Sequence, residues 1–252
     1  MNNNEIGLLT TFLLGIFILI GAGISLLINK KNKIIDFSIG LAFGVIVTLI
    51  VSDLLPEILE VFGLKSIYLF IIFTILGFFI LRVLDGYIPD HHEHKMNKKE
   101  SNENLVHIGI MTTVALVLHN LIEGMAVYST ALADSSIALS LALGVGFHNI
   151  PLGIVIASSF YHSNKNTKRT IFSVLIVSLS TFCGGLLMYL FNLTEINGMI
   201  LGIFLSLTLG MLLFIIVDEL VVRIKNTKEK KTAYLGIITG VLVLIIGSFI
   251  GE

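Results

Sequence analysis

The sequence is poor in charge, in cysteine and in proline, and each shortage excludes a class of protein. Only 13% of its 252 residues are charged, against 55% hydrophobic, where a soluble chain carries about a quarter. With a mean hydropathy of +0.96 there is too little polar surface to cover a water-soluble globule, and the chain reads as an integral membrane protein. A single cysteine, Cys183, admits no intramolecular disulfide. Three prolines and no low-complexity tract argue against a disordered or fibrous protein. A formal net charge of −1 gives no sign of a nucleic-acid surface. The start, Asn2-Asn3-Asn4-Glu5, lacks the basic region of a cleaved signal peptide, and the apolar run after it is too long for one. That run is expected to stay as a transmembrane helix.

What the chain has instead is a series of long apolar stretches. Eight of them, roughly 6–29, 34–61, 66–87, 105–133, 135–161, 170–194, 196–222 and 232–251, are near or above the ~17–25 residues that cross a bilayer as a helix. The third reaches that length only by running past Arg82 to about Tyr87. The ~10-residue alternating segments of a membrane barrel are not seen. The expected fold is an all-α integral membrane protein of eight transmembrane helices. It forms one domain over residues 1–252, because no loop is long enough to hold a soluble one.

Lysine and arginine orient it. Lys30, Lys31 and Lys33, then Lys95, Lys98 and Lys99, then Lys165, Lys168 and Arg169, then Arg223, Lys225, Lys228, Lys230 and Lys231 occupy alternate loops, and Arg82 adjoins them. The opposite loops and both termini hold only Lys65, a bias of fifteen to one. By the positive-inside rule both termini are expected outside the cytoplasm. Gly40 and Gly44, Gly198 and Gly202, and Gly236 and Gly240 each place glycines four apart, a spacing that lets membrane helices approach closely.

Ionisable groups within a bilayer are costly and by default mark a pathway or site. Here they are few. His119-Asn120-Leu121-Ile122-Glu123-Gly124 falls in the fourth span and His148-Asn149-Ile150-Pro151-Leu152-Gly153 in the fifth, both near the middle. His119 and Glu123, four apart, share a helix face, and His148 can add a third ligand from the neighbouring helix. Two imidazoles and a carboxylate suit Zn²⁺ and also Fe²⁺, Mn²⁺ or Co²⁺. Asn120 and Asn149 are weaker ligands, or groups that orient the ligands. Pro151 removes a backbone bond to the Phe147 carbonyl, so a broken helix is expected beside His148, as in discontinuous transporter helices. The plain alternative is a buried polar pair that only links two helices.

Asp53 and Glu57 lie toward the outer end of the second span, and Asp218 and Glu219 toward the inner end of the seventh. With the central cluster between them they would mark an entrance, a middle and an exit for a cation. Their plain reading is interfacial acids. His91, His92 and His94, in the one long cytoplasmic loop, could collect metal, or could simply be solvated. His107 and His162 fall at span ends and read as interfacial.

The two hexapeptides resemble the signature of the ZIP (Zrt/Irt-like) family of divalent-metal transporters, closest to its bacterial zinc-transporter branch. Ser52-Asp53-Leu54-Leu55-Pro56-Glu57 is similar to that family's second-helix motif, and Val217-Asp218-Glu219-Leu220 to its seventh. The resemblance covers the whole chain. It implies a bundle with an inverted 3+2+3 repeat and metal import into the cytoplasm by alternating access. By position it gives the primary ion to His119, Glu123 and His148, and sets Asn120 and Asn149 beside a second ion in two-metal members. Where the family often has glutamates in its fifth and sixth helices, this chain has Leu152 and the stretch Ser180-Thr181-Phe182-Cys183-Gly184-Gly185. One metal rather than a binuclear centre is therefore expected.

The implied partners are a divalent cation as cargo, Zn²⁺ favoured with Cd²⁺ also admissible, and the lipid bilayer of the cytoplasmic membrane, with no nucleic acid and no prosthetic group. A homodimer is left open. An intramembrane zinc hydrolase is the rival class, but it needs a general base beside the ligands. Asn120 stands where that base would sit. An exporter using the same site is the other alternative.

Overall fold

An apolar run in lipid must satisfy its backbone internally, which favours the helix, and a computed structural model of the chain shows helices throughout. The structure describes residues 2–27, 31–63, 66–87, 98–164, 167–227 and 229–251. In chain order these form α1 (Asn3–Leu27), α2 (Lys31–Leu49), a π-helical turn (Ile50–Leu54), α3 (Leu55–Phe62), α4 (Ile67–Asp85), α5 (Lys98–Ala133), α6 (Ser135–Asn164) and α7 (Thr167–Leu190). Then follow α8 (Gly198–Phe214), a second π-helical stretch (Ile215–Leu220), α9 (Val221–Asn226) and α10 (Lys230–Gly251). No strand occurs among the described residues. The segments 33–62 and 198–226 each continue through their π-helical part as one span, which makes eight helices long and apolar enough to cross a membrane. The chain is an all-α, multi-pass membrane protein.

Several boundaries differ from the expected ones. The third span stops at Asp85. The sixth ends at Leu190 rather than 194, because Asn192 turns into the left-handed region at φ 52°, where a helix cannot continue. Asn197 then restarts the chain by accepting from the N–H groups of Met199 and Ile200, a side-chain cap for the donors that α8 leaves unbonded.

The break expected at Pro151 is absent: α6 runs unbroken with the proline inside it. Tight backing from α1 keeps it in line, since a side chain at Gly153 would strike the Ile18 carbonyl and one at Gly21 the Ile150 carbonyl. The backbone irregularities fall elsewhere. The Leu55 N–H bonds the Ile50 carbonyl, and the Val221 N–H bonds that of Ile216, five residues back in each case. Such π-turns often accompany functional sites. Here they enclose Asp53, Asp218 and Glu219.

Packing sorts the helices into two groups. α1, α5, α6 and α7 lie against one another, while α2 packs on α10 and α4 on α8. We call the first group the bundle and the rest the frame. Most of the backbone-to-backbone contacts made through glycine stay within a group, the exception being Gly247 of α10, which faces the Gly144 carbonyl of α6. Gly40 and Gly44 abut carbonyls of α10 while Gly236 and Gly240 abut α2; Gly77 and Gly210 join α4 to α8; Gly124 and Gly184 join α5 to α7. The α10 and α2 faces toward α6, and the α8 face toward α5, complete the contact between groups. Span two packs on span eight as span seven packs on span three, and the π-turns fall in spans two and seven. An inverted repeat of spans one to three on six to eight would give this arrangement.

Candidate metal centre

The start of α1 meets the end of α5, where Asn3 Nδ2 donates to the Leu132 carbonyl at 3.2 Å and the Tyr128 hydroxyl donates to Asn4 Oδ1 at 2.9 Å. We call this end of the molecule the upper end. Halfway down, the helical spacing of four brings His119 and Glu123 to one face of α5, as the sequence predicts, and α6 presents His148 opposite them. His148 Nε2 lies 3.0 Å from Glu123 Oε1, and His119 Nε2 lies 3.7 Å from the same oxygen. One ligand atom from each of the three falls within 4.8 Å of the other two. Both histidines are 7% exposed.

Three features fit this cluster to a cation. His119 Nε2 is buried with no hydrogen-bond partner among the described residues, so its nitrogen is available to a ligand. The carboxylate supplies the one formal negative charge of the cluster. A cavity of about 590 Å³ ends on it, lined also by Asp53, Glu57 and Thr130. On α5 its lining runs upward from His119 to Thr130, and on α6 it stops at His148. Below, the face of α5 that carries His119 continues into Ala115 and Met111, both fully buried. The lining thus extends from the site toward the upper end, while the α5 face beneath the site is buried among the described residues.

The two asparagines divide. Asn149 Nδ2 donates to Glu123 Oε2 at 3.4 Å, a long bond that steadies the carboxylate, whereas Asn120 Nδ2 donates to the Val177 carbonyl of α7 at 3.3 Å. Both asparagine Oδ1 atoms are buried without a partner among the described residues. Leu152 is part of the apolar core at 1% exposure, and Gly184 sits so close to the Leu121 carbonyl of α5 that no side chain fits there.

Of the remaining expected residues, Asp53 and Glu57 line the cavity, while Asp218 turns to Arg82, 3.6 Å away at a partly exposed position. Glu219 takes part in a cluster that the sequence does not reveal. His107 Nε2 lies 2.7 Å from Asp85 Oδ1 and 3.1 Å from Glu219 Oε1. His107 keeps its place at the end of the span, which runs from Leu105 to Ala133, but its side chain is 5% exposed and turned to these two acids. His91, His92 and His94 lie outside the described residues.

Known proteins resemble this chain over most of its length. A family model described as ZIP Zinc transporter matches residues 87–247, a region that holds both histidine hexapeptides and the seventh span. Zinc transporter ZupT of Escherichia fergusonii is 27% identical over 246 residues, which cover 95% of each chain. The proteins of that name from Escherichia coli O127:H6 and Enterobacter sp. strain 638 are 28% and 27% identical over the same share. On the family match and these full-length relatives, the chain belongs to the ZIP zinc transporter family.

Proposed function

We propose that this protein carries divalent metal ions, Zn²⁺ foremost, across the cytoplasmic membrane into the cytoplasm, one ion at a time, on His119, Glu123 and His148. Membership of the family makes it a metal transporter rather than an enzyme. The observation that carries the finer reading is the position of the three ligand atoms at the lower limit of a cavity whose lining extends from them toward the upper end. A pump or carrier must offer its site to each face in turn, and a site open above and packed below is one half of that cycle.

The division into bundle and frame supports the other half. All three ligands belong to the bundle, whose glycine contacts weld α1, α5, α6 and α7 together, so the bundle can carry the ion past the frame as a body. Asp53 and Glu57 belong to the frame and stay behind as the upper collecting acids. The lysine and arginine bias assigns the lower end to the cytoplasm. A single ion is supported by the buried Leu152 and the filled space at Gly184, since neither position supplies a second carboxylate.

The test is flux in liposomes holding the purified protein, with Zn²⁺, Fe²⁺, Mn²⁺ and Cd²⁺ offered in turn from either side. Wild type is expected to move Zn²⁺, while His119→Ala and Glu123→Ala, still folded, do not. Stoichiometric binding without flux would refute transport through this site, and flux only from the lower to the upper face would reverse the direction.

A further inference from the structure

Asp85, His107 and Glu219 lie far below the ligands. Twelve residues separate His107 from His119 on α5, about 18 Å at 1.5 Å per residue. Asp85 ends α4 and Glu219 lies in the seventh span, so both acids belong to the frame, whereas His107 belongs to the bundle. Its Nε2 stands between Asp85 Oδ1 at 2.7 Å and Glu219 Oε1 at 3.1 Å. The side chains of the acids are 19% and 15% exposed. Two carboxylates held this close in a poorly solvated place repel each other, and one N–H donor between them offsets that repulsion.

We propose that His107 is a strut that pins the lower end of the bundle to the frame while the cavity is open above, and that it must leave both acids for the site to open below. This rests on the bundle and frame moving as bodies. If they do, the hydrogen bond to Asp85 and the close contact with Glu219 exist in one state of the cycle and are lost in the other, so they bias the equilibrium between them. Removing the imidazole takes stabilisation from the upward-open state and leaves the carboxylates to repel. Population then shifts toward the downward-open state. His107 is a positioning residue in this scheme and touches no cargo.

Cysteine accessibility in liposomes tests this in the full-length protein, with the exposed Cys183 replaced by serine. Thr130→Cys reports the upper cavity. Ala115→Cys, one turn below His119 on the same face and fully buried here, reports opening below. An impermeant maleimide is supplied from either side without metal. His107→Ala is expected to slow labelling of the Thr130→Cys protein and speed that of Ala115→Cys, moving their ratio about tenfold, the shift from losing about 1.4 kcal/mol of one state's stability. Glu219→Gln, which keeps the shape and removes a charge, moves the ratio the same way by less.

An unchanged ratio in both folded variants, with Ala115→Cys still labelled in wild type during zinc turnover, overturns the strut and leaves the moving bundle standing. If Ala115→Cys never labels, even during turnover, the moving bundle fails and the strut with it. A second equivalent of zinc bound by wild type and lost in His107→Ala also overturns it, because metal rather than imidazole would then join the two acids.

Discussion

Glu123 and His148, 25 residues apart in the chain, meet at 3.0 Å across the contact of α5 with α6, on the same oxygen that His119 faces from 3.7 Å. One carboxylate oxygen is thus shared by two imidazoles. A divalent ion placed among them would replace these contacts with bonds to itself, and the charge that holds it would come from Glu123.

Removing that charge while keeping its shape separates binding from folding. Glu123→Gln retains an oxygen that can accept from His148, so the fold is expected to survive. Zinc affinity is expected to fall by at least about 100-fold, beyond the 10–100-fold typical of groups that only orient a ligand. Asn149→Ala, which loses one long bond to the carboxylate, is expected to cost about tenfold. Titration calorimetry in detergent, with a melting curve for each variant, measures both.

How much of this could be read from the sequence depends on whether the chemistry is local. His119 and Glu123 are brought together by the pitch of one helix, so their meeting is legible from spacing alone, and the matching hexapeptide points to His148. The eight spans are legible because lipid leaves an apolar chain few alternatives. The π-turns are not, since nothing in the residues 50–54 or 215–220 separates a five-residue from a four-residue bond. Pro151 misleads in the opposite sense, because the helix continues through it where α1 packs tightly against it. His107 depends on Asp85, 22 residues earlier, and on Glu219 from a distant span, a tertiary coincidence with no local signature.

Gly184 bears on ion number. Its backbone lies against the Leu121 carbonyl of α5, while Gly124 lies against that of Thr181, so α5 and α7 touch along a line with no room between them. Gly184→Glu is therefore expected to part the helices rather than add a ligand. Overpacking of this kind costs about 1–3 kcal/mol, visible as a lower melting temperature in detergent. Calorimetry on the surviving protein should still return one zinc per chain.

Arg82 and Asp218 provide the contrast to the buried clusters. They are 3.6 Å apart, with side chains 57% and 36% exposed, and exposed ion pairs contribute about 0–1 kcal/mol. Arg82→Gln is expected to leave the melting temperature within about 2 °C of wild type, the low end of the 2–4 °C that about 1 kcal/mol moves a domain of this size, and to leave zinc flux unchanged. Both are measured on the preparation used for the wild type.

Asp53 and Glu57 act at a distance from the ligands if they collect cations at the mouth of the cavity. Two acids in a confined, poorly solvated opening raise the local cation concentration, and they do so less as salt screens them. The double variant Asp53→Asn, Glu57→Gln is then expected to raise the KM for zinc several-fold, about tenfold at low salt, with the maximal flux little changed. The difference from wild type should narrow as ionic strength rises. The same variant separates two roles, because a ligand lost from the bound ion would depress the maximal flux as well, and added salt would not restore it. Initial rates of zinc entering liposomes, measured across metal concentrations at low and at physiological ionic strength, distinguish the two patterns. A fall in maximal flux that persists at both ionic strengths would place one of these acids on the ion itself, and would make the frame, as well as the bundle, part of the binding site.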